Sequence, residues 1–153
     1  MAAGLIDYLN PHAIELQSDA KTNEEIIRIL AGKLEKLGYV KPSYADAVVS
    51  RELSMPTGLP LERDDNVAVP HTDPEHVIKA GVAFATLKMP IAFANMEDLE
   101  ETVPVGYVFL LAINDKDQQI ETLQQIMATI QDADALDRLK AACSFEDITT
   151  ALQ

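Results

Sequence analysis

The spacing of apolar positions predicts helices first, then strands interleaved with helices. Ile26, Ile27, Leu30, Leu34 and Leu37 recur at helical period, and Thr22 with Glu25 has the spacing of a capping box. A helix therefore opens near Thr22 or Asn23, and Gly38 is placed to end it. Ser43 and Asp46 can open a second helix carrying Ala47, Val48, Arg51 and Leu53. Residues 1–17 read as a short strand or loop leading in. Residues 54–65, SMPTGLPLERDD, carry two prolines, a glycine and a charge cluster, which marks a loop.

From there the pattern turns to strands. Val67-Ala68-Val69 is a short β-type run, and Pro70 should end its pairing because proline lacks an N–H. Residues 80–87 read as a strand and 91–94 as a further short apolar piece. The acidic stretch 97–101 reads as a solvated loop. Residues 105–113 form a near-continuous apolar run suited to burial on both faces. After a turn at 114–117, Ile120, Leu123, Ile126, Met127 and Ile130 define an amphipathic helix, read as core. A short helix around 133–141 and a last one opened by Ser144 and Asp147 complete the order. Such an order fits an α/β sandwich: one domain over 1–153, with a central mixed β-sheet flanked by helices on both faces.

Composition narrows this only modestly. The 153 residues are 48% hydrophobic, enough for one core and not suggestive of disorder. No apolar run is long enough for a transmembrane helix, and the N-terminal residues lack the basic and apolar regions of a secretory signal. A soluble cytoplasmic protein is the expectation. A formal net charge of −13 disfavours nucleic acid and anionic membranes as partners. The single cysteine, Cys143, excludes an internal disulfide and cysteine-based metal clusters; it reads as a buried or half-buried structural thiol.

Candidate chemistry concentrates in Pro70-His71-Thr72-Asp73-Pro74-Glu75-His76, directly after the short strand. No G-x-x-x-x-G-K-[ST] phosphate loop and no G-x-S-x-G elbow occurs. A neutral imidazole nitrogen is nucleophilic near neutral pH, and a phosphoryl group on it remains labile enough to be handed on. The Thr72 hydroxyl, loop N–H groups and an arginine could donate to the phosphoryl oxygens. Two alternatives stay open on the residues alone. His71 can be a structural loop histidine, or His71, Asp73 and His76 can hold a metal for hydrolysis. His12, after Pro11, reads as a surface or structural residue.

Asn66-Val67-Ala68-Val69-Pro70-His71-Thr72 resembles the active-site segment of the enzyme IIA proteins of the fructose–mannitol class, in the phosphoenolpyruvate-dependent sugar phosphotransferase system. Val49-Ser50-Arg51-Glu52 resembles the family's helix end with Arg-Glu. Leu110-Leu111-Ala112-Ile113-Asn114, then Asp117-Gln118-Gln119-Ile120, resembles its strand, turn and helix start. Pro56-Thr57-Gly58-Leu59-Pro60 and Pro70-His71-Thr72-Asp73 look like the galactitol-type branch. The resemblance implies a phosphotransferase that takes a phosphoryl group from HPr onto Nε2 of His71 and passes it to a cysteine of enzyme IIB, and so to membrane enzyme IIC. It implies no metal and no bound cofactor. Arg51 matches the family arginine near the phosphoryl group. Gln119, or Gln118 if the turn is read differently, stands where many relatives have a second histidine. A regulator whose phosphorylation state controls partner binding is the alternative on the same fold.

Overall fold

A computed structural model describes residues 5–153. The order is α1 (Leu5–Tyr8), β1 (Leu9–Ser18), α2 (Asn23–Lys36), α3 (Tyr44–Ser54), β2 (Gly58–Leu59), β3 (Asn66–Ala68), a 3-10 turn (Pro74–His76), β4 (Gly81–Asn95), β5 (Asp98–Ala112), α4 (Lys116–Ile130), α5 (Ala133–Ala141) and α6 (Phe145–Ala151). The Thr22 hydroxyl caps α2 by accepting from the Glu25 amide at 3.1 Å, and Glu25 reaches back to the Lys21 amide at 3.1 Å. Gly38, with φ +80°, takes the left-handed position just past α2 that a side chain would resist.

The sheet is built on an antiparallel β4–β5 hairpin, paired from Gly81↔Ala112 to Asn95↔Asp98 with register shifts between Thr86 and Ile91 and between Ala94 and Asn95. β1 lies parallel along β4, and β3 lies parallel along β5. β2 runs antiparallel to β3 and meets Asn95 at the end of β4. These pairings make one five-stranded mixed sheet. Side chains alternate across it. Ala83, Ala85, Val108 and Leu110 pack with α2 and α3 on one face. Val82, Phe84, Phe109 and Leu111 pack with α1, α4, α5 and α6 on the other. Helices therefore cover both faces, as the element order predicts.

Several readings need correction. Residues 1–4 lie outside the described residues, and the rest of the leading segment is one helical turn followed by a ten-residue strand. The loop at 54–65 contains the two-residue β2. Residues 98–101 are the start of β5 rather than a loop; their side chains are exposed while their backbone belongs to the strand. A strand projecting beyond the core has nothing to bury, so its apolar alternation disappears. Thr122, Ile126 and Ile130 form the inner face of α4, whereas Ile120 is 56% exposed and Met127 41%. Only part of that apolar stripe is core. Cys143 is exposed, not buried.

β2 passes close under the hairpin end. A Cβ on Gly58 would lie 2.6 Å from the Ala94 carbonyl oxygen, which is backbone and cannot swing away. Gly58→Ala should therefore destabilise the fold by about 1–3 kcal/mol, read as a lower denaturation midpoint with an unchanged m-value.

Candidate functional site

β3 delivers His71 to one end of the sheet. The strand assignment ends at Ala68, yet both flanks of the next two residues are held. The Val69 N–H donates to Thr57 O at 3.4 Å, and the Leu111 N–H donates to Pro70 O at 3.0 Å. Proline ends the donor pattern as expected, but its carbonyl still accepts, so pairing runs one bond further. His71 follows at once, with Nδ1 2.8 Å from the Val69 carbonyl oxygen. A carbonyl can only accept, so Nδ1 carries the proton. The neutral ring then keeps its lone pair on Nε2.

Burial lowers the His71 pKa from its usual value; the Val69 bond opposes this, and the Arg51 charge adds to the lowering. His71 is thus held neutral and nucleophilic further into the acid range than a free histidine. Its neutral form supports folding above the ordinary imidazole pKa, and that contribution is lost as pH falls through the lowered one.

Arg51 comes from the last turn of α3. Its Nη1 lies 3.7 Å from Asp73 Oδ1, two residues beyond His71. The structure thus brings Arg51, His71 and Asp73 together. Arg51 Nε is buried without a hydrogen-bond partner, a donor held dry and unused. Thr72 is buried beside His71. Gln119 lies in the first turns of α4, which leaves the sheet only a few residues after Leu111, the pairing partner of Pro70. Its Nε2 is likewise buried and unpartnered. Arg63 Nε is a third such group, but its guanidinium pairs with Asp137 of α5 at 3.1 Å.

Two side chains at this end carry no role in the sequence reading. Glu52, 5% exposed, accepts from the Thr57 N–H at 2.9 Å and from the Thr57 hydroxyl at 2.8 Å. Burial raises its pKa to about 6, against the two Thr57 bonds that favour the charged form. A raised carboxyl pKa adds stability below the ordinary carboxylate value, and this fades as pH rises through about 6. Tyr44, at the start of α3, donates to the Leu111 carbonyl at 2.6 Å. The first contact spans five residues and the second 67, and neither is carried by helical or strand periodicity.

His76 does not join His71. Its Nδ1 lies 2.8 Å from Ser43 Oγ and its Nε2 3.8 Å from Glu75. Ser43 stands at the N-cap position of α3 yet makes no side-chain cap bond there. Among the described residues, no group of three or more His, Cys, Asp or Glu is arranged to hold a metal ion. The grouping of His71, Asp73 and His76 for metal hydrolysis is therefore not formed. His12 is exposed on β1.

The model of the phosphoenolpyruvate-dependent sugar phosphotransferase system EIIA 2 family matches residues 7–153. The chain belongs to that family. It is 30% identical over 147 residues to the mannitol-specific EIICBA component of Vibrio cholerae, covering 94% of this chain and 21% of that protein. The chain thus spans about a fifth of the length of that relative. It is 30% identical to the ascorbate-specific EIIA component of Shigella boydii, over 89% of this chain and 86% of that one. Among solved structures, the complex of enzyme IIA mannitol with phosphorylated enzyme IIB mannitol from Escherichia coli matches at TM-score 0.73 and 28% identity, covering 94% and 95% of the two chains. The chain is accordingly an EIIA-type domain.

The environment of the EIIA domain's His71 gives a direct expectation. In an imidazole NMR titration, His71 should protonate at lower pH than a free histidine, and its neutral form should show the Nδ1–H tautomer.

Proposed function

We propose that His71 is the phosphorylated residue of this EIIA domain, and that the domain relays a phosphoryl group between two proteins in the cytoplasm. The observation that carries the reading is the 2.8 Å bond from His71 Nδ1 to the Val69 carbonyl, which leaves Nε2 as the nucleophile. The donor is the phosphohistidine of HPr. The Nε2 lone pair attacks phosphorus in line, the new N–P bond forms as the bond to the HPr histidine breaks, and the proton stays on Nδ1, hydrogen-bonded to the Val69 carbonyl. A cysteine of enzyme IIB then takes the group, and membrane enzyme IIC uses it during uptake.

The buried donors of Arg51 and Gln119 lack protein acceptors, and phosphoryl oxygens are the acceptors we assign to them. Thr72, buried and next to His71 in sequence, is assigned to the same shell. A glutamine at 119 donates a hydrogen bond without bringing charge, so Arg51 carries the electrostatic stabilisation. For the transported compound, Pro56–Pro60 and Pro70–Asp73 support galactitol, while the named relatives serve mannitol and ascorbate. Uptake assays with all three compounds in cells lacking the gene rank them.

Incubation with phosphoenolpyruvate, enzyme I and HPr should add one acid-labile phosphoryl group to wild type and none to His71→Ala, read by intact mass. No gain in wild type, with HPr phosphorylated, would overturn the carrier reading. A group that loads but never reaches enzyme IIB would point to the regulatory alternative. Arg51→Ala should slow loading by roughly 100-fold with little change in thermal midpoint; an unchanged rate removes Arg51 from the site. Gln119→His should fold normally and load at least as fast as wild type, whereas an unfolded variant would mean that this position is core.

A further inference from the structure

Glu52 stands beside Arg51 on α3 but turns away from the reacting atoms. Its carboxylate holds both the N–H and the hydroxyl of Thr57, at 2.9 and 2.8 Å, in a buried setting. Thr57 opens the segment leading into β2, and its carbonyl accepts from the Val69 N–H at 3.4 Å. The ladder continues through Gly58↔Ala68 and Leu59↔Val67. Val69 in turn presents the carbonyl that holds His71 Nδ1 at 2.8 Å. An unbroken series of contacts thus links the helix end bearing Arg51 to the strand end bearing His71.

We propose that Glu52 is a positioning residue for phosphoryl transfer: by pinning Thr57 it fixes the Val69 carbonyl, and with it the His71 tautomer and the placement of Arg51 against the ring. The proposal rests on the carrier reading of His71 for its kinetic half only. Residues 53–56 between Glu52 and Thr57 make no strand pairing, and Leu53, Ser54 and Met55 are exposed. Without the carboxylate, the register between α3 and β2 would rest on the exposed end of α3 and on Met55 and Pro56. A carboxylate suits the task because one rigid group accepts two bonds at once, whereas a shorter or apolar side chain would strand two buried donors.

The test compares Glu52→Ala, Glu52→Gln and Thr57→Val with wild type in the full chain. Nitrogen-15 shifts of the His71 ring report the tautomer without any phosphoryl donor. Loading is timed by intact mass with phospho-HPr and, independently, with phosphoramidate. In Glu52→Ala the ring should become a tautomer mixture, and loading should slow by roughly tenfold from both donors. Glu52→Gln, whose amide oxygen and N–H₂ can still meet the Thr57 pair, should restore the single tautomer and most of the rate. Thr57→Val, which removes only the hydroxyl contact, should fall between them and serves if Glu52→Ala does not fold. A single Nδ1–H tautomer and wild-type loading in both Glu52→Ala and Thr57→Val would overturn the proposal. So would a slow Glu52→Gln variant whose ring tautomer is unchanged. A tautomer mixture in Glu52→Ala, with a wild type that never loads from either donor, would uphold the positioning role and overturn the carrier reading instead.

Discussion

The antiparallel pairing of β4 with β5 supplies the frame to which every other element is referred. It is the long hydrogen-bonded stretch of the sheet, running from Gly81↔Ala112 to Asn95↔Asp98, and its two faces seed two separate cores. β1 and β3 are added as parallel strands on its outer edges. A parallel strand needs a crossover to reach its place, and α2 and α3 lie between β1 and the β2–β3 pair. Burial of their apolar faces against Ala83, Ala85, Val108 and Leu110 holds that crossover down. The end of β3, and so His71, is placed by a sheet whose order is settled elsewhere.

α3 is fastened to the sheet at both of its ends. Tyr44 bonds to the Leu111 carbonyl, and Leu111 also donates to Pro70. Glu52 bonds to Thr57, which accepts from Val69. The two anchors reach β5 and β2, the strands on either side of β3, and the residues they serve, Val69 and Pro70, directly precede His71. Three of the buried polar residues, Glu52, Thr57 and Thr72, belong to this segment, while Ser18, Asn66, Thr86, Asn95 and Thr122 serve other parts of the sheet and α4. Arg51 and Gln119 differ from these, since each keeps a buried donor without a protein acceptor. Such groups cost stability, and they are the donors that the proposed function assigns to a phosphoryl group.

Much of this was readable from the chain because its signals are local. The capping residues of α2 and the short run before Pro70 act over a few residues, and the structure reproduces them. His71 stood out because a proline and a polar loop follow a buried strand. Arg51 was reached only through resemblance, since nothing near it in sequence announces that α3 ends beside β3. The Glu52–Thr57 contact could not be read at all: it depends on how residues 53–56 fold back, which periodicity does not encode. The outer half of the hairpin was hidden for the opposite reason. Residues 98–101 belong to β5, with Asp98 paired to Asn95, while their side chains face water, so side-chain patterning carries no trace of the strand. On α4, the apolar stripe is wider than the face that the sheet covers, leaving Ile120 and Met127 outside.

Glu52 and His71 also set a proton balance for the fold. Between the ordinary carboxylate value of 4.5 and the ordinary imidazole value of 6.5, the unfolded chain holds a proton on His71 and little on Glu52. Folding in that range shifts protons off the desolvated imidazole and onto the buried carboxyl. The two exchanges have opposite sign, so their pH slopes partly cancel. As far as these two groups are concerned, the pH dependence of folding in mildly acidic water is gentler than either group alone would give, because Glu52 offsets part of what His71 contributes.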